Sequence, residues 1–332
     1  MTDPTLVLGW LVLAHLVADF VFQTSGMVRE KNAPGRRQWR GLLRHGLVVA
    51  VPLVPAVGVW GGRGAAFLAV ATIAHVVIDR WKVRATRHAE AEALADARRR
   101  HEPAEADEGL GPAWTPKPGA LFIADQAAHV VVLVVAWLVL LASQPPLPSY
   151  LEAFDAIFRG YDPAAIHRVA VLGVVLASLL IVNVRAADLF VSTLVSPRQS
   201  VSRPPVDADR TASRADAPRA WRLRFGPIEA TAEPVGERGS ESRTAVQWHA
   251  SPARIGATIG VVERLLIVAF VLTGSTAAIG FVVAAKTLAR FRQLDDRDFA
   301  EYYLLGTLAS VSVALASGLV AAAAIATLGL AS

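Results

Sequence analysis

The chain is dominated by apolar runs of about 20 residues, the length that a helix needs to cross a hydrocarbon core of about 30 Å. These runs fall at 4–22, 41–60, 64–80, 119–142, 166–184, 256–285 and 303–330. Hydrophobic residues make up 54% of the chain, more than the roughly 45 to 50% of an average soluble domain. The runs predict an all-α fold, a polytopic transmembrane helical bundle with about six or seven spans.

Charged residues lie between these runs and predict their orientation. The loop at 23–41 and the long charged loop at 83–118 are rich in arginine, which predicts that both are cytoplasmic. The stretch at 143–165 is rich in proline and acidic residues, which suits the outer side. The formal charge of +5 therefore reflects membrane topology, and we expect no nucleic-acid partner. Residues 1–10 lack a basic segment, so we expect the first run to be retained rather than removed as a signal peptide.

The pattern of runs and polar stretches predicts four regions. They are a four-helix membrane domain at 1–142, an outer loop and fifth span at 143–195, a polar cytoplasmic insert or linker at 196–254, and C-terminal membrane helices at 255–332. Within the insert, WRLRF and TAVQWHA are expected to pair as a small hairpin. The run near 255–291 is too long for one span, and a re-entrant hairpin turning at 273–276 would keep both basic flanks cytoplasmic.

Ionisable residues inside the first four spans share one depth, the inner leaflet. Three pairs have i, i+4 spacing, which brings both side chains to one face of a helix about 6 Å apart. The pairs and a lone histidine are His15 and Asp19, His75 and Asp79, Asp125 and His129, and His45. Two outgoing helices with HxxxD, each followed by a helix that supplies a histidine, resemble a duplicated hairpin.

Burying these groups in a membrane is costly and needs compensation. A charged residue at the centre of a spanning helix costs about 2.5 to 3.5 kcal/mol, and several approach the roughly 5 to 15 kcal/mol stability of a domain. Hydrogen bonds between helices, each worth about 0.6 to 2 kcal/mol, are one explanation. A proton or ion path is a second, and a metal site is a third.

A metal site here must use histidine and carboxylate ligands, because the chain contains no cysteine. Such ligands suit zinc, manganese or iron. The set is larger than the three or four protein ligands of one zinc ion, so two ions bridged by a carboxylate would use them all. The predicted metal ligands are His15, Asp19, His45, His75, Asp79, Asp125 and His129.

Other polar residues border this set and are expected to support it. Asp19, Asp79 and Asp125 are the candidate catalytic carboxylates, one of them as a general base. Lys82 is a candidate clamp on developing negative charge, and Arg44 and Arg80 also border the site, next to His45 and Asp79 in the sequence. Gln23, Gln126 and Lys31 are candidates for orienting the ligands.

These motifs together resemble a known bacterial family. The segments HLVADFVFQ, LLRH, HVVIDRWK and DQAAH, with Lys31 between the first two, resemble the uncharacterised family catalogued as domain of unknown function 3307. The matching positions are His15, Asp19, Phe20, Gln23, Lys31, His45, His75, Asp79, Lys82, Asp125, Gln126 and His129. The resemblance covers about the first 140 residues and implies the bacterial inner membrane, but no reaction.

We therefore expect a membrane-embedded metal-dependent hydrolase acting on a lipid-linked ester or phosphoester. A metal- or proton-coupled transporter would also explain buried histidine and aspartate. A non-catalytic scaffold is the third interpretation, with a protein partner recruited through 198–254. The expected ligands are one or two divalent ions and a membrane lipid or lipid-linked substrate.

Overall fold

The computed structural model describes residues 3–100, 114–195, 221–225, 228–232, 247–249 and 252–328. The chain divides into two compact units, one of residues 1–197 with 264–332 and one of residues 198–263. Within the described residues the first unit is helical, and five helices are long and apolar enough to cross a membrane. They are Pro4–Val21, Pro55–Arg99, Lys117–Leu140, Pro163–Val195 and Phe299–Ala326. The predicted all-α polytopic bundle is confirmed.

The helices follow in chain order, and two of them pass into a π-helical turn. They are α1 Pro4–Leu16 with the π turn Val17–Val21, α2 Ser25–Lys31, α3 Arg36–Leu53, α4 Pro55–Arg99, α5 Lys117–Leu140, α6 Pro148–Ile157, α7 Pro163–Ile181 with the π turn Val182–Ala186, α8 Ala187–Val195, α9 Pro252–Leu272, α10 Thr276–Ala289 and α11 Arg297–Ala326. Asp3 begins the first of them by accepting hydrogen bonds from the backbone N–H groups of Thr5 and Leu6, with proline in the first turn.

The predicted second and third spans form a hairpin that reverses at Gly61. Helix α4 is broken there, because Gly61 has φ 57° and ψ −128°, a conformation that residues with a side chain avoid. Gly64 lies so close to the part of α4 before the break that an added Cβ would be 1.9 Å from the carbonyl oxygen of Ala56. Beyond the turn the helix continues without interruption to Arg99. It therefore extends past the predicted span at 64–80 into the charged stretch that was predicted as a cytoplasmic loop at 83–118.

Apolar side chains of α1, α3, α4 and α5 form the core that holds the four-helix part together. The buried residues include Leu11, Leu53, Phe67, Leu133 and Leu141. The tryptophan next to the turn, Trp60, donates from its indole N–H to the carbonyl oxygen of Gln144 at 3.3 Å. These contacts fix the end of the bundle opposite the ionisable residues.

The C-terminal helices pack around a second core and a buried arginine. Leu179, Ile267 and Ala314 are buried in this core. The π turn after α7 exposes the carbonyl oxygen of Asn183, which accepts a hydrogen bond from Arg264 Nε at 2.7 Å. The same guanidinium donates to the Ser310 hydroxyl oxygen at 3.1 Å.

The turn predicted at 273–276 is present between α9 and α10, where Gly274 has φ 71°. Helix α10 has 14 residues and extends about 21 Å at 1.5 Å per residue, too short for a hydrocarbon core of about 30 Å. That length suits a re-entrant hairpin, which stays a prediction.

The described part of residues 198–263 contains a three-stranded antiparallel sheet. Strand β1 Trp221–Phe225 pairs with β2 Ile228–Ala232, and β2 pairs with β3 Gln247–His249. The predicted direct pairing of WRLRF with TAVQWHA is wrong, because IEATA lies between them in the sheet. Only two residues separate β1 from β2, a separation typical of a hairpin. Residues 196–220, 226–227, 233–246 and 250–251 of the predicted insert, and residues 101–113 of the charged loop, lie outside the described residues.

Replacing Gly61 by alanine should destabilise the protein, because alanine at this φ and ψ costs about 1 to 3 kcal/mol. We expect a lower midpoint of thermal unfolding in detergent micelles. Gly62→Ala is the matched control, since a Cβ there meets no other atom within 4 Å. Equal midpoints for Gly61→Ala and wild type would show that the reversal does not depend on this conformation.

Candidate metal centre

The seven predicted ligands, which lie far apart in sequence, meet at one level of the four-helix bundle. His15 and Asp19 come from α1 and its π turn, His45 from α3, and the two remaining pairs from α4 and α5. All are buried except Asp19, whose side chain is 9% exposed. Three groups of three ligand atoms lie within 4.8 Å of one another: His15, Asp19 and His75; His45, His75 and Asp79; and Asp79, Asp125 and His129.

The π turn Val17–Val21 aims Asp19 at the histidines of the two neighbouring helices. The turn contains one more residue than an α-helical turn, and it lies directly at the ligand position. Asp19 Oδ1 lies 3.1 Å from His45 Nε2 and 3.2 Å from His75 Nε2. Asp19 Oδ2 is 4.0 Å from His15 Nε2. Asp19 is therefore closer to the histidines of other helices than to the one on its own.

Two imidazole nitrogens and two carboxylate oxygens of the centre lie close to one another. His45 Nε2 and His75 Nε2 are 3.0 Å apart, and Asp79 Oδ2 lies 3.6 Å from the first and 3.7 Å from the second. With Asp19 Oδ1 these atoms give five separations between 3.0 and 3.7 Å. Zinc bonds of about 2.0 to 2.1 Å to nitrogen and oxygen place tetrahedral ligands about 3.3 Å apart. The donor set and its spacing therefore fit one divalent ion.

Asp125 and His129 form a second part of the centre beside the first. His129 Nδ1 donates to the backbone carbonyl oxygen of Asp125 at 2.8 Å, so its Nε2 carries a lone pair. Among the described residues, His129 Nε2, Asp125 Oδ1 and His15 Nδ1 are buried atoms without a hydrogen-bond partner. A small cavity lined by His15, His75 and His129 adjoins them. Acceptor atoms gathered in this way need a cation or a donating water molecule.

Two lysines contact the carboxylates of the centre. Lys31 Nζ donates to Asp79 Oδ2 at 2.6 Å, and Lys82 Nζ donates to Asp125 Oδ2 at the same distance. The side chain of Lys31 is 9% exposed and that of Lys82 is 27% exposed. With neutral histidines, the three carboxylates and two ammonium groups leave one net negative charge. The centre is therefore short of positive charge.

Glycine at position 41 lets Lys31 reach this buried place. An added Cβ at Gly41 would lie 2.5 Å from the backbone nitrogen of Lys31, so only glycine lets α2 pack this closely against α3. The Lys31 side chain then reaches Asp79 from a short helix within the predicted loop. The sequence motif includes Lys31 but does not reveal its partner.

The two glutamines predicted to orient the ligands lie against histidines. The Gln23 amide nitrogen is 3.1 Å from His45 Nε2. Gln126 Oε1 accepts from His15 Nε2 at 3.1 Å, and its amide nitrogen donates to Asp125 Oδ2 at 3.0 Å. Both residues therefore contact predicted ligands, and their orienting role stays a prediction.

Two arginines near the motifs have partners outside the centre. Arg44 donates to both carboxylate oxygens of Glu30 at 3.1 Å. The guanidinium carbon of Arg80 lies 4.1 Å from the centre of the Trp39 ring. Both arginines are next to predicted ligands in the sequence, but in the structure their side chains contact Glu30 and Trp39 instead of the ligands.

Comparison with known families agrees with the motifs. No curated protein and no solved structure matches the chain. Residues 7–158 match the family described as protein of unknown function (DUF3307), and the matched range contains every residue of the candidate centre. The resemblance seen in the sequence is confirmed over residues 7–158.

Proposed function

We propose that the protein is a metal-dependent hydrolase of the bacterial inner membrane, acting at the cytoplasmic leaflet on a lipid-linked ester or phosphoester. The observation that carries the proposal is the close set of ligand atoms from Asp19, His45, His75 and Asp79, with five separations between 3.0 and 3.7 Å. Two imidazoles and two carboxylates suit zinc, manganese or iron. Their burial among apolar helices explains why a cation is needed to compensate them.

A second divalent ion fits the group formed by Asp79, Asp125 and His129. Asp79 belongs to both groups of ligands, and in the proposed arrangement its carboxylate would bridge two ions. Ions in two-metal hydrolases lie about 3.5 to 4 Å apart, where they lower the pKa of a water molecule and bind the attacking and leaving oxygens. The bridging carboxylate and the partnerless acceptors of Asp125 and His129 support this arrangement.

The protein's own residues take distinct roles in the proposed reaction. Asp125 Oδ1 lacks a hydrogen-bond partner among the described residues and would bind the second ion, and one of the carboxylates of Asp19, Asp79 and Asp125 acts as general base through an oxygen that holds no ion. Lys82 stabilises negative charge that develops on the substrate. Gln126 contacts both His15 and Asp125 and would hold them in register.

A metal- or proton-coupled transporter is the second candidate, and the π turn favours it. Transporter sites commonly lie on interrupted helices, and α1 is distorted at Asp19. The net negative charge of the centre would also accommodate a transported proton or cation. Flux into proteoliposomes that Asp79→Asn abolishes, without hydrolysis of any ester, would favour transport over the hydrolase.

Elemental analysis of purified protein tests the metal centre. We expect about one or two transition-metal ions per wild-type chain and a loss of most of this metal in His75→Ala, since His75 belongs to two ligand groups. His88→Ala is the control, because His88 is exposed on the extended part of α4. Metal-free wild type, or full metal content in His75→Ala, would contradict the proposal.

Asp125→Asn tests the second ion separately. The amide keeps the size of the side chain but removes its charge, so we expect the metal content to fall from about two ions to about one, with loss of hydrolysis. Asp96→Asn changes an exposed carboxylate that pairs with Arg99 and should leave both unchanged. An Asp125→Asn protein with two tightly bound ions would rule out this assignment.

A further inference from the structure

The charges of the centre point to the chemical class of its substrate. Three carboxylates face two lysines in a buried place, and one net negative charge remains when the histidines are neutral. This count covers the three carboxylates and the two ammonium groups bonded to them; Arg44 pairs with Glu30, and the Arg80 guanidinium lies against the Trp39 ring. Two divalent ions would change the net charge of the centre from −1 to +3, and a bound hydroxide ion would lower it to +2.

A buried excess of charge is costly, so the substrate should cancel it. A neutral carboxylic ester would leave both positive charges, and a phosphodiester would leave one. A phosphate monoester carries about two negative charges at pH 7 and would bring the occupied centre close to neutrality. This choice of substrate class rests on the proposed two-ion hydrolase.

Lys82 marks the side from which such a group approaches. It is three times as exposed as Lys31, at 27% against 9% of the side chain. One of its N–H groups donates to Asp125 Oδ2, which leaves two donors of the ammonium group for phosphate oxygens. Its Nζ also lies 4.8 Å from the centre of the Phe122 ring, which limits its rotation. The ammonium group is thus held at the rim of the centre.

We infer that the centre binds and hydrolyses a dianionic phosphate monoester. A water oxygen attacks phosphorus, and the bond between phosphorus and the alcohol oxygen breaks. One proton of the water ends on the departing alkoxide and the other stays on the phosphate. The products are an alcohol and orthophosphate, so atoms and charge balance without an oxidant or a further reactant.

Orthophosphate binding tests the inference. Full-length protein in phosphatidylcholine nanodiscs is loaded with the metal found by elemental analysis and titrated calorimetrically with orthophosphate. We expect binding that requires the metal and that Lys82→Met weakens by at least about tenfold, the loss expected for a hydrogen bond to a charged group. Lys117→Met is the matched control, because Lys117 is an exposed lysine bonded to Glu92; it should bind like wild type.

Two substrates then separate a lipid source from a soluble one. Phosphate release from phosphatidate in the nanodisc identifies a lipid monoester, and release from glycerol phosphate identifies a soluble monoester. Metal-loaded protein that fails to bind orthophosphate, or that cleaves a carboxylic ester or phosphodiester but neither monoester, would overturn the inference and leave the metal-dependent hydrolase standing. Protein without metal would instead refute the proposed function itself.

Discussion

The structure depends on the compensation of charge inside an apolar bundle. Three carboxylates and two lysines lie among helices whose other core residues are leucine, valine, alanine and phenylalanine. Each ammonium group sits 2.6 Å from a carboxylate oxygen, yet one carboxylate charge remains. Hydrogen bonds between membrane helices contribute only about 0.6 to 2 kcal/mol each. They therefore do not compensate the remaining buried charge. In the proposed centre, a bound cation would supply the missing charge and would give the lone pairs of Asp19, His45, His75 and Asp79 a common partner.

The fold serves this arrangement through local distortions of otherwise regular helices. Gly61 reverses the chain so that His45 and His75 face each other across a hairpin. The π turn after α1 rotates Asp19 toward both, and Gly41 lets a short helix bring Lys31 to Asp79. The π turn and the close packing at Gly41 lie beside the cluster, whereas Gly61 lies at the opposite end of the bundle.

The sequence predicts which residues form the centre, but it does not predict the backbone distortions that orient them. The i, i+4 pairs fixed helix faces, and their depth in the spans placed all seven ligands at one level. Backbone distortions escaped prediction, because AHLVADFVF has no glycine or proline that would signal a π turn. The contact between Arg264 and the Asn183 carbonyl was also missed, since it arises from another π turn. The residue types in a sequence indicate hydrogen bonds between side chains. They do not indicate which backbone carbonyl a π turn leaves free to accept one.

The central claim is that His45 and His75 share an ion with Asp19 and Asp79. X-ray absorption spectroscopy at the edge of the metal that copurifies with the protein tests it directly. The proposed site predicts a first shell of nitrogen and oxygen at about 2.0 to 2.2 Å, with the outer-shell scattering of two or more imidazoles, and weaker imidazole scattering in His45→Ala. A shell of oxygen alone, without imidazole scattering, or the absence of any metal edge, would contradict it.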